Sequence, residues 1–388
     1  MFIDDWVDTN NASSKLLIAE SYDSDQVLID LYGNETYKGI PPLNFRFITC
    51  IQNTSTAENI SNVLKDWLDI LPSNTSTNWV LSNHDNSRVA TRIGLNRVDG
   101  LHMVSLLLPG QAFTYYGEEI AMLDRNMSWN ETIDPMGCAR SNETYAKYSR
   151  DPARTPMQWN CNVSSGFSTN ATTYLPLHPD YVQRNVETQQ DGKSNLKTYK
   201  LLTALRKDKV FTHGGHEFAG LNNDRVFVLK RFLENYSTYI VVVNLGLRLE
   251  IVNLTSLYPN LEDSMEIIVA SSNAVYAMDT VSGESLTLTA NAAFLLKAEE
   301  IIPETTTESS TESSTEPSTE SSTETSTESS TESSTETSTT SESTTPAETS
   351  TTPISTSTEP TPSAAAKSIS TLHLIISTSF TVILLFRL

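Results

Sequence analysis

Two short apolar runs in the first hundred residues end in side chains that could do acid-base chemistry. Glu20 comes directly after the run LLIA, and His84 and Asp85 follow Asn83 at the end of the run WVLS. Carboxyl and imidazole groups can transfer protons or hold polar ligands when they converge on one cleft. A lone Glu after four apolar residues is more often a solvated strand end. The cluster of polar groups at 83–85 is therefore the stronger indication.

These runs belong to a regular alternation that must position the polar side chains. Short apolar segments occur at residues 16–19, 43–48, 79–82 and 113–116, and helix-like stretches lie between them at 57–68 and 97–107. This alternation is typical of parallel β-α-β units. In a barrel of such units, functional side chains gather where strands end and loops begin. We therefore expect Glu20 and Asp85 at one edge of a parallel sheet.

The pattern changes near residue 210. Apolar stretches at 226–229, 239–243, 266–269 and 293–297 are separated by turn-like segments without long helices. The sequence therefore predicts an α/β domain over residues 1–210, followed by a small antiparallel β domain, a β-sandwich, over residues 211–302.

Residues 303–362 form a low-complexity segment of Ser, Thr, Glu and Pro. The chain carries 26 basic and 47 acidic residues, for a net charge of −21, and twelve of the acidic residues lie in this segment without any Lys or Arg. We expect an extended, O-glycosylated stalk, although a disordered tail without glycans has the same composition. No basic run is present, so the composition excludes a nucleic-acid partner.

The final residues, 363–388, resemble a signal for a glycosylphosphatidylinositol (GPI) anchor. Small residues are followed by a short polar spacer and an apolar run that nearly reaches the C-terminus. The anchor region would include Ser363, Ala364 and Ala365. The alternative is a transmembrane helix, which needs about 20 apolar residues.

Secretion is also indicated by twelve Asn-x-Ser/Thr sequons. Their asparagines are Asn11, Asn34, Asn53, Asn59, Asn74, Asn126, Asn130, Asn142, Asn162, Asn170, Asn235 and Asn253. The first residues (MFIDDW) lack the features of an export signal, from which we expect a lost N-terminus. Of three cysteines, Cys138 and Cys161 are expected to form a disulfide, the alternative being that Cys50 and both of these are unpaired, buried thiols.

Four segments in order along the chain resemble motifs of the maltases of glycoside hydrolase family 13, the α-amylase family, and most closely those of insect maltases. They are residues 16–22 (LLIAESY), 79–92 (WVLSNHDNSRVATR), 107–122 (LLPGQAFTYYGEEIAM) and 149–160 (SRDPARTPMQWN). Residues 196–211 also resemble the last helix of the family's barrel. The resemblance implies the C-terminal half, strands five to eight, of a (β/α)8 barrel.

The resemblance also implies roles for individual residues. Glu20 would be the general acid/base, and Asp85 would hold the ring hydroxyls of a distorted glucosyl unit. His84 would bind sugar hydroxyls, and Arg154 would line the same subsite. No cofactor is expected, and the substrates would be maltose and related α-glucosides hydrolysed with retention. Trp159 and Tyr116 are expected to pack inside the barrel rather than stack on sugar.

One part of the family's machinery has no match here. Retention requires a second carboxylate that attacks the sugar, and the family carries it in a Gly-Phe-Arg-x-Asp motif that is absent from this sequence. We expect barrel strands one to four and the family's calcium site to be absent with it, leaving a fragment with little or no hydrolytic activity. Two alternatives remain open: a cell-surface binding protein derived from an α-glucosidase, and a product that is degraded. The preferred disaccharide and the oligomeric state are not predicted.

Overall fold

The computed structural model of the protein describes residues 15–34, 36–301 and 382–387. The expected stalk, the anchor residues Ser363, Ala364 and Ala365, and the sequon at Asn11 lie outside these ranges. Within them, no helix combines the length and the apolar character that crossing a bilayer requires. All the contacts described below lie within one compact unit of the chain.

The N-terminal part contains short parallel strands in chain order. Strand β1 (Lys15–Glu20) forms a parallel bridge from Ala19 to Pro42. Strand β4 (Asn78–Val80) pairs in parallel with β5 (Gln111–Phe113). Side chains from these segments share a small apolar cluster. Its members are Ile18, Leu43, Phe45, Ile48, Val80 and the partly buried Phe113.

Two further pairings involve short segments. A hairpin joins β2 (Gly33–Asn34) to β3 (Tyr37–Lys38). Strand β14 (Val382–Arg387) runs antiparallel to β1 over six residue pairs. These six residues are the part of the expected anchor segment that the structure describes.

Helices connect the parallel strands. They are α1 (Asp25–Asp30), α2 (Arg46–Thr49), α3 (Ala57–Ile70), α4 (Val89–Arg92) and α5 (Val98–Leu107). Helix α3 begins with a capping box in which the Thr56 and Asn59 side chains each accept a hydrogen bond from the other's backbone N–H. It buries Leu64 and Trp67, whereas every residue of α5 is buried. Helix α5 is therefore the central helix of this part of the fold.

A long irregular segment follows β5 and carries seven short 3₁₀ turns and one short helix, α6 (Pro135–Cys138). It ends at helix α7 (Asn195–Leu205), whose N-cap Ser194 accepts a hydrogen bond from the Lys197 N–H. Helix α8 (Lys209–His213) comes next.

The C-terminal part is built around a six-stranded antiparallel sheet in the order β11-β10-β13-β8-β7-β6. Its strands are β6 (Gly215–Leu221), β7 (Val226–Phe232), β8 (Thr238–Asn244), β10 (Ser264–Ala270), β11 (Thr280–Ser282) and β13 (Ala293–Ala298). A second pair, β9 (Glu250–Val252) and β12 (Leu286–Leu288), packs near it, and the short helix α9 (Leu254–Leu257) lies between β9 and β10.

Both faces of the central strands of this sheet are buried. On β7, Phe227 and Leu229 join the large core with the helices, and Val226 and Val228 join a second core with β9 and β12. Alternating side chains point to opposite faces of a strand, so this continuous apolar run predicts a sheet covered on two sides.

The α/β class is confirmed by the structure, but two expected elements differ. Residues 43–48 are not one strand: only Leu43 bonds to Ala19 along β1, and helix α2 begins at Arg46. Arg46 turns its guanidinium over the Trp67 ring at 4.0 Å, a contact that a strand pattern does not reveal. Residues 196–211 form two helices rather than one, because Asp208 caps a new helix at Lys209.

The expected disulfide is wrong in this structure. Cys50, Cys138 and Cys161 are all free and exposed. Cys138 is the last residue of α6, and its thiol donates a hydrogen bond to the Thr132 carbonyl oxygen at 3.4 Å. This thiol is therefore hydrogen-bonded to a nearby residue and is not bonded to Cys161. The alternative of three unpaired thiols matches the structure, although these thiols are not buried.

Candidate active site

Glu20 is the last residue of β1, at the edge where the sequence predicts functional side chains. Its side chain is almost fully buried, with the residue 3% exposed, and neither carboxylate oxygen has a hydrogen-bond partner among the described residues. Burial raises the pKa of Glu20, nearby His84 lowers it, and the Asp85 carboxylate raises it further. These surroundings favour the protonated form of the Glu20 carboxyl group, which is the form that a general acid requires.

His84 and Asp85 follow β4, and their side chains lie close to the Glu20 carboxylate. One ligand atom from each of Glu20, His84 and Asp85 lies within 4.8 Å of the others. The Nε2 atom of His84 is 3.6 Å from Oδ1 of Asp85. The turn is fixed by Asn83, whose side-chain oxygen accepts the Asp85 N–H at 3.1 Å. The fold thus brings together residues 64 and 65 positions apart in the chain.

Arg154 enters the same site from the long segment after β5. Its guanidinium donates to Oδ1 of Asp85 at 2.7 Å and to the His84 carbonyl oxygen at 2.7 Å. The structure therefore places all four of the predicted sugar-binding and acid-base residues in one cluster.

Arg150 was not singled out from the sequence, although it lies in the quoted SRDPARTPMQWN segment. It donates to Oδ1 of Asp85 at 2.9 Å and makes two side-chain hydrogen bonds to Asp134, at 2.9 and 2.7 Å. The Asp134 side chain is fully buried, and its hydrogen bonds to Arg150 hold its pKa well below its usual range. Asp151 supports this arrangement by accepting the Asp134 N–H at 2.9 Å.

Tyr22 is a second neighbour that sequence reasoning missed. Its ring stacks on Phe45 with centroids 4.5 Å apart, and its hydroxyl accepts hydrogen bonds from Asn83 and Asn86. Burial raises the pKa of Tyr22 to about 12. Tyr22 lies two residues after Glu20 in the LLIAESY segment, and this short separation is the sequence feature that could have indicated that Tyr22 lies near the site.

The two aromatic residues expected inside the barrel behave differently. Trp159 is 48% exposed, so its expected packing is wrong. Tyr116 is 37% exposed, and its hydroxyl donates to the Thr155 carbonyl oxygen while Arg88 lies 4.7 Å from its ring centroid. Both residues belong to loops after β5. The burial of a loop residue depends on which other segments pack over it, and local periodicity does not predict those contacts.

Glu118 and Glu119 lie in the turn after β5. Glu118 is buried beside His102 of α5, with 3.9 Å between its Oε2 and the histidine Nε2. Burial also raises the pKa of Glu119. The buried pair of Glu118 and His102 belongs to the packing between α5 and the turn after β5, and neither residue is part of the Glu20 cluster.

The cluster combines a buried acid, a second carboxylate and cationic hydrogen-bond donors. A buried carboxyl can protonate a leaving oxygen, and an ionised carboxylate can hold sugar hydroxyls or balance positive charge at a sugar carbon. Because both arginines donate to Oδ1 of Asp85, that oxygen is less available to attack carbon. The arginine contacts at Oδ1 therefore favour a charge-stabilising role for Asp85, and burial of Glu20 favours the acid role for Glu20.

Comparison with known proteins decides the family. The catalytic domain of α-amylase matches residues 2–214, more than half of the chain. The chain belongs to the α-amylase family.

The similarity extends to individual α-amylase family members. The chain is 38% identical over 281 residues to the salivary alpha-glucosidase of Aedes aegypti, covering 72% of this chain and 48% of that protein. It is 38% identical over 260 residues to maltase 1 of Drosophila virilis, covering 66% of this chain and 41% of the relative. The protein thus spans about half the length of these relatives or less.

A solved trehalulose synthase structure superposes with a TM-score of 0.61 at 21% identity, covering 72% of this chain and 55% of that one. That likeness concerns the fold alone. It supports the α/β fold of this α-amylase family member.

Proposed function

We propose that this chain carries the acid/base and charge-stabilising part of an α-glucosidase active site. The observation that carries the proposal is the convergence of Glu20, His84 and Asp85, with one ligand atom of each within 4.8 Å of the others. Glu20 would protonate the leaving glycosidic oxygen. Asp85, held by Arg154, would bind ring hydroxyls and stabilise positive charge at the anomeric carbon. The substrates would be maltose and related α-1,4-glucosides.

Retention of configuration needs an attacking carboxylate as well. No Gly-Phe-Arg-x-Asp segment occurs in the 388 residues, and the Asp85 oxygen that faces two arginines is a poor nucleophile. The isolated chain, which we interpret as the C-terminal half of a barrel, should therefore hydrolyse α-glucosides slower than a complete maltase, by roughly 10⁴-fold or more.

Chemical rescue tests this division of labour. The full chain would be incubated with 4-nitrophenyl α-glucoside, with and without azide. Azide would attack the anomeric carbon, the bond to nitrophenolate would break, and glucosyl azide would form. We expect release of nitrophenolate that depends on azide and is lost in Asp85→Asn. The matched control is Asp191→Asn, at an exposed aspartate far along the chain, which should keep the rescued rate.

Two results would contradict this proposal. Turnover without azide at the rate of a complete maltase would show that the attacking group is present or unnecessary. Absence of both rescue and calorimetric binding of an iminosugar would remove the active-site assignment. Binding without rescue would favour the alternative, a cell-surface binding protein, for which the missing carboxylate is the specific supporting observation.

We also propose that the protein is displayed outside the cell. All eleven sequon asparagines that the structure describes are exposed, whereas among the other described asparagines Asn44, Asn78, Asn83, Asn185, Asn244 and Asn291 are buried. Exposure is what a glycan requires. The sequence at 363–388 supports a GPI anchor. Release from expressing cells by a phosphatidylinositol-specific phospholipase would support the anchor, and retention of the protein on cells after complete digestion would exclude it.

A further inference from the structure

The proposed acid/base role of Glu20 does not explain how its buried carboxylate is stabilised when the group is ionised. Both carboxylate oxygens are buried and lack a hydrogen-bond partner among the described residues. Leaving buried polar atoms without a hydrogen-bond partner is unfavourable, and more so when the group is ionised. A group from solution is therefore expected beside this carboxylate whenever it is ionised.

Suitable ligand atoms surround that position. The carboxylate of Glu20, a ring nitrogen of His84 and the carboxylate of Asp85 meet within 4.8 Å. Both arginine contacts to Asp85 use Oδ1, so Oδ2 has no donor among the described residues. Glu20 and Asp85 thus each offer an oxygen and His84 a ring nitrogen, and the His84 Nε2 lies 3.6 Å from Oδ1 of Asp85, the oxygen that both arginines contact.

This donor set discriminates between metal ions. Mg²⁺ and Ca²⁺ take oxygen ligands in larger numbers, whereas Zn²⁺ accepts imidazole and carboxylate together in a tetrahedral site. Tetrahedral bonds of about 2.1 Å place ligand atoms about 3.4 Å apart, so the cluster has to contract slightly. His84 can provide that movement because its side chain is 48% exposed. Three protein ligands leave a fourth position open to water.

Charge in the cluster permits a cation but limits its affinity. Glu20 and Asp85 contribute two negative charges, and Arg150 and Arg154 contribute two positive ones. Arg150 is also paired with the Asp134 carboxylate, which leaves a net charge of −1 on these five groups. Reversible binding is expected, rather than the permanent retention seen at structural zinc sites.

We propose that Glu20, His84 and Asp85 form a three-ligand Zn²⁺ site that excludes the sugar when it is occupied. The same atoms would hold either the cation or the glucosyl unit, so Zn²⁺ and an iminosugar compete for one position. This proposal rests on the geometry of the three residues, and it does not require the chain to hydrolyse a glucoside.

Titration of the full chain with Zn²⁺ alone tests the site. Accessible cysteines would first be alkylated with iodoacetamide, because three exposed thiols could bind zinc independently. Calorimetry is expected to give one Zn²⁺ per chain. Glu20→Gln and His84→Ala should each weaken binding roughly tenfold or more, since even loss of an outer-shell partner weakens metal sites 10- to 100-fold.

His178→Ala is the matched control, because His178 also lies beside an aspartate, at 2.5 Å from Asp180, but outside the three-ligand cluster. It should leave Zn²⁺ affinity unchanged. Substitution of Co²⁺ gives a second readout, visible absorption bands typical of tetrahedral coordination that disappear in His84→Ala.

Several outcomes would overturn the assignment. They are the absence of saturable Zn²⁺ binding, affinity unchanged in both cluster variants, or Ca²⁺ binding as tightly as Zn²⁺. A failure to bind Zn²⁺ would not prevent azide-dependent release of nitrophenolate, and a failure of azide rescue would not prevent Zn²⁺ binding. The two experiments therefore test the metal site and the proposed function independently. The Glu20→Gln variant should fold, because it removes a charge and keeps the size of the buried side chain. Loss of Zn²⁺ binding in this variant can therefore be assigned to the lost ligand.

Discussion

Asp134 and Asp85 accept hydrogen bonds from the same guanidinium, that of Arg150. The fully buried Asp134 carboxylate fixes the guanidinium plane through two bonds, and the remaining nitrogen reaches the partly exposed Asp85. A bidentate pair of this kind restricts geometry as well as adding energy. Asp134 thus acts on the candidate active site through Arg150 and is a positioning residue.

Asp134→Asn should destabilise the protein by about 2 kcal/mol, because it leaves a partly buried Arg150 without its paired charge. The lowered pKa of Asp134 fixes the pH dependence. Its stabilising contribution is full above the ordinary value of about 3.9 and is lost as pH falls towards the lower folded-state pKa. Urea denaturation of wild type and variant should show a gap that is constant from pH 7 to 5 and narrows below pH 4.

The control for this prediction is Asp279→Asn, at an exposed aspartate. It should have a stability within about 0.5 kcal/mol of wild type. A gap between wild type and Asp134→Asn that widens on acidification would contradict the assignment.

Glu20→Gln should stabilise the protein at neutral pH. Burial raises the pKa of Glu20, so ionisation of this carboxyl opposes folding increasingly as pH rises above the ordinary value of about 4.3. Removing the charge should recover on the order of 1 kcal/mol at pH 7, or a few degrees in melting temperature. Thermal melts at pH 4 and pH 7 should give a difference at pH 7 only. Glu187→Gln, at an exposed glutamate, serves as the control and should leave both melts unchanged.

Gly117 is required by the turn after β5. Its φ of +87° is unfavourable for other residues, and an added Cβ would lie 2.3 Å from Met122 Sδ and 2.9 Å from Arg88 Nη1. Gly192 has a similar φ of +65° but nothing within 4 Å of its added Cβ. Gly192→Ala should therefore destabilise by about 1 kcal/mol, the backbone contribution alone. Gly117→Ala should exceed it by a further 1–3 kcal/mol from overpacking. Equal losses in urea melts would show that Met122 moves aside without strain.

Arg231 holds the helices to the six-stranded sheet. The fully buried guanidinium donates to the carbonyl oxygens of Leu107 at the end of α5, Val210 and Phe211 in α8, and Gly214 and Gly215 beyond it. Burial lowers the pKa of Arg231 to about 10, so the side chain stays charged at neutral pH.

Arg231→Met should leave these carbonyls unsatisfied and destabilise the fold by about 3 kcal/mol. Arg231→Lys should recover only part of this loss, because an ammonium lacks the guanidinium's planar set of donors. Guanidinium denaturation measures both variants. A lysine variant as stable as wild type would show that charge alone suffices.

The sequence predicted the elements with strong periodicity and the chemistry at strand ends. The expected helix at 57–68 lies within α3, and the apolar runs at 226–229 and 239–243 lie within β7 and β8. The grouping of Glu20 with Asp85 agrees with the expectation that polar side chains gather where the apolar runs end.

The remaining contacts depended on residues without a local pattern. The bonds from Arg150 to Asp134 and Asp85 join residues 16 and 65 positions apart, and both Arg150 and Asp134 belong to the long irregular segment after β5. The exposure of Trp159 and the free thiols of Cys138 and Cys161 likewise depend on how the long segment after β5 folds back. Hydrophobic periodicity carries no information about such segments, because their conformation is set by side-chain to backbone hydrogen bonds.

The two buried faces of β7 make residue 210 a poor place to divide the protein. Cutting there would strip the helices from one side of the sheet and leave Phe227, Leu229, Val241 and Leu295 facing water. The two parts should therefore melt in a single calorimetric transition, and a shortened expression product would have to retain α5 together with β7, β8 and β13 to remain in solution.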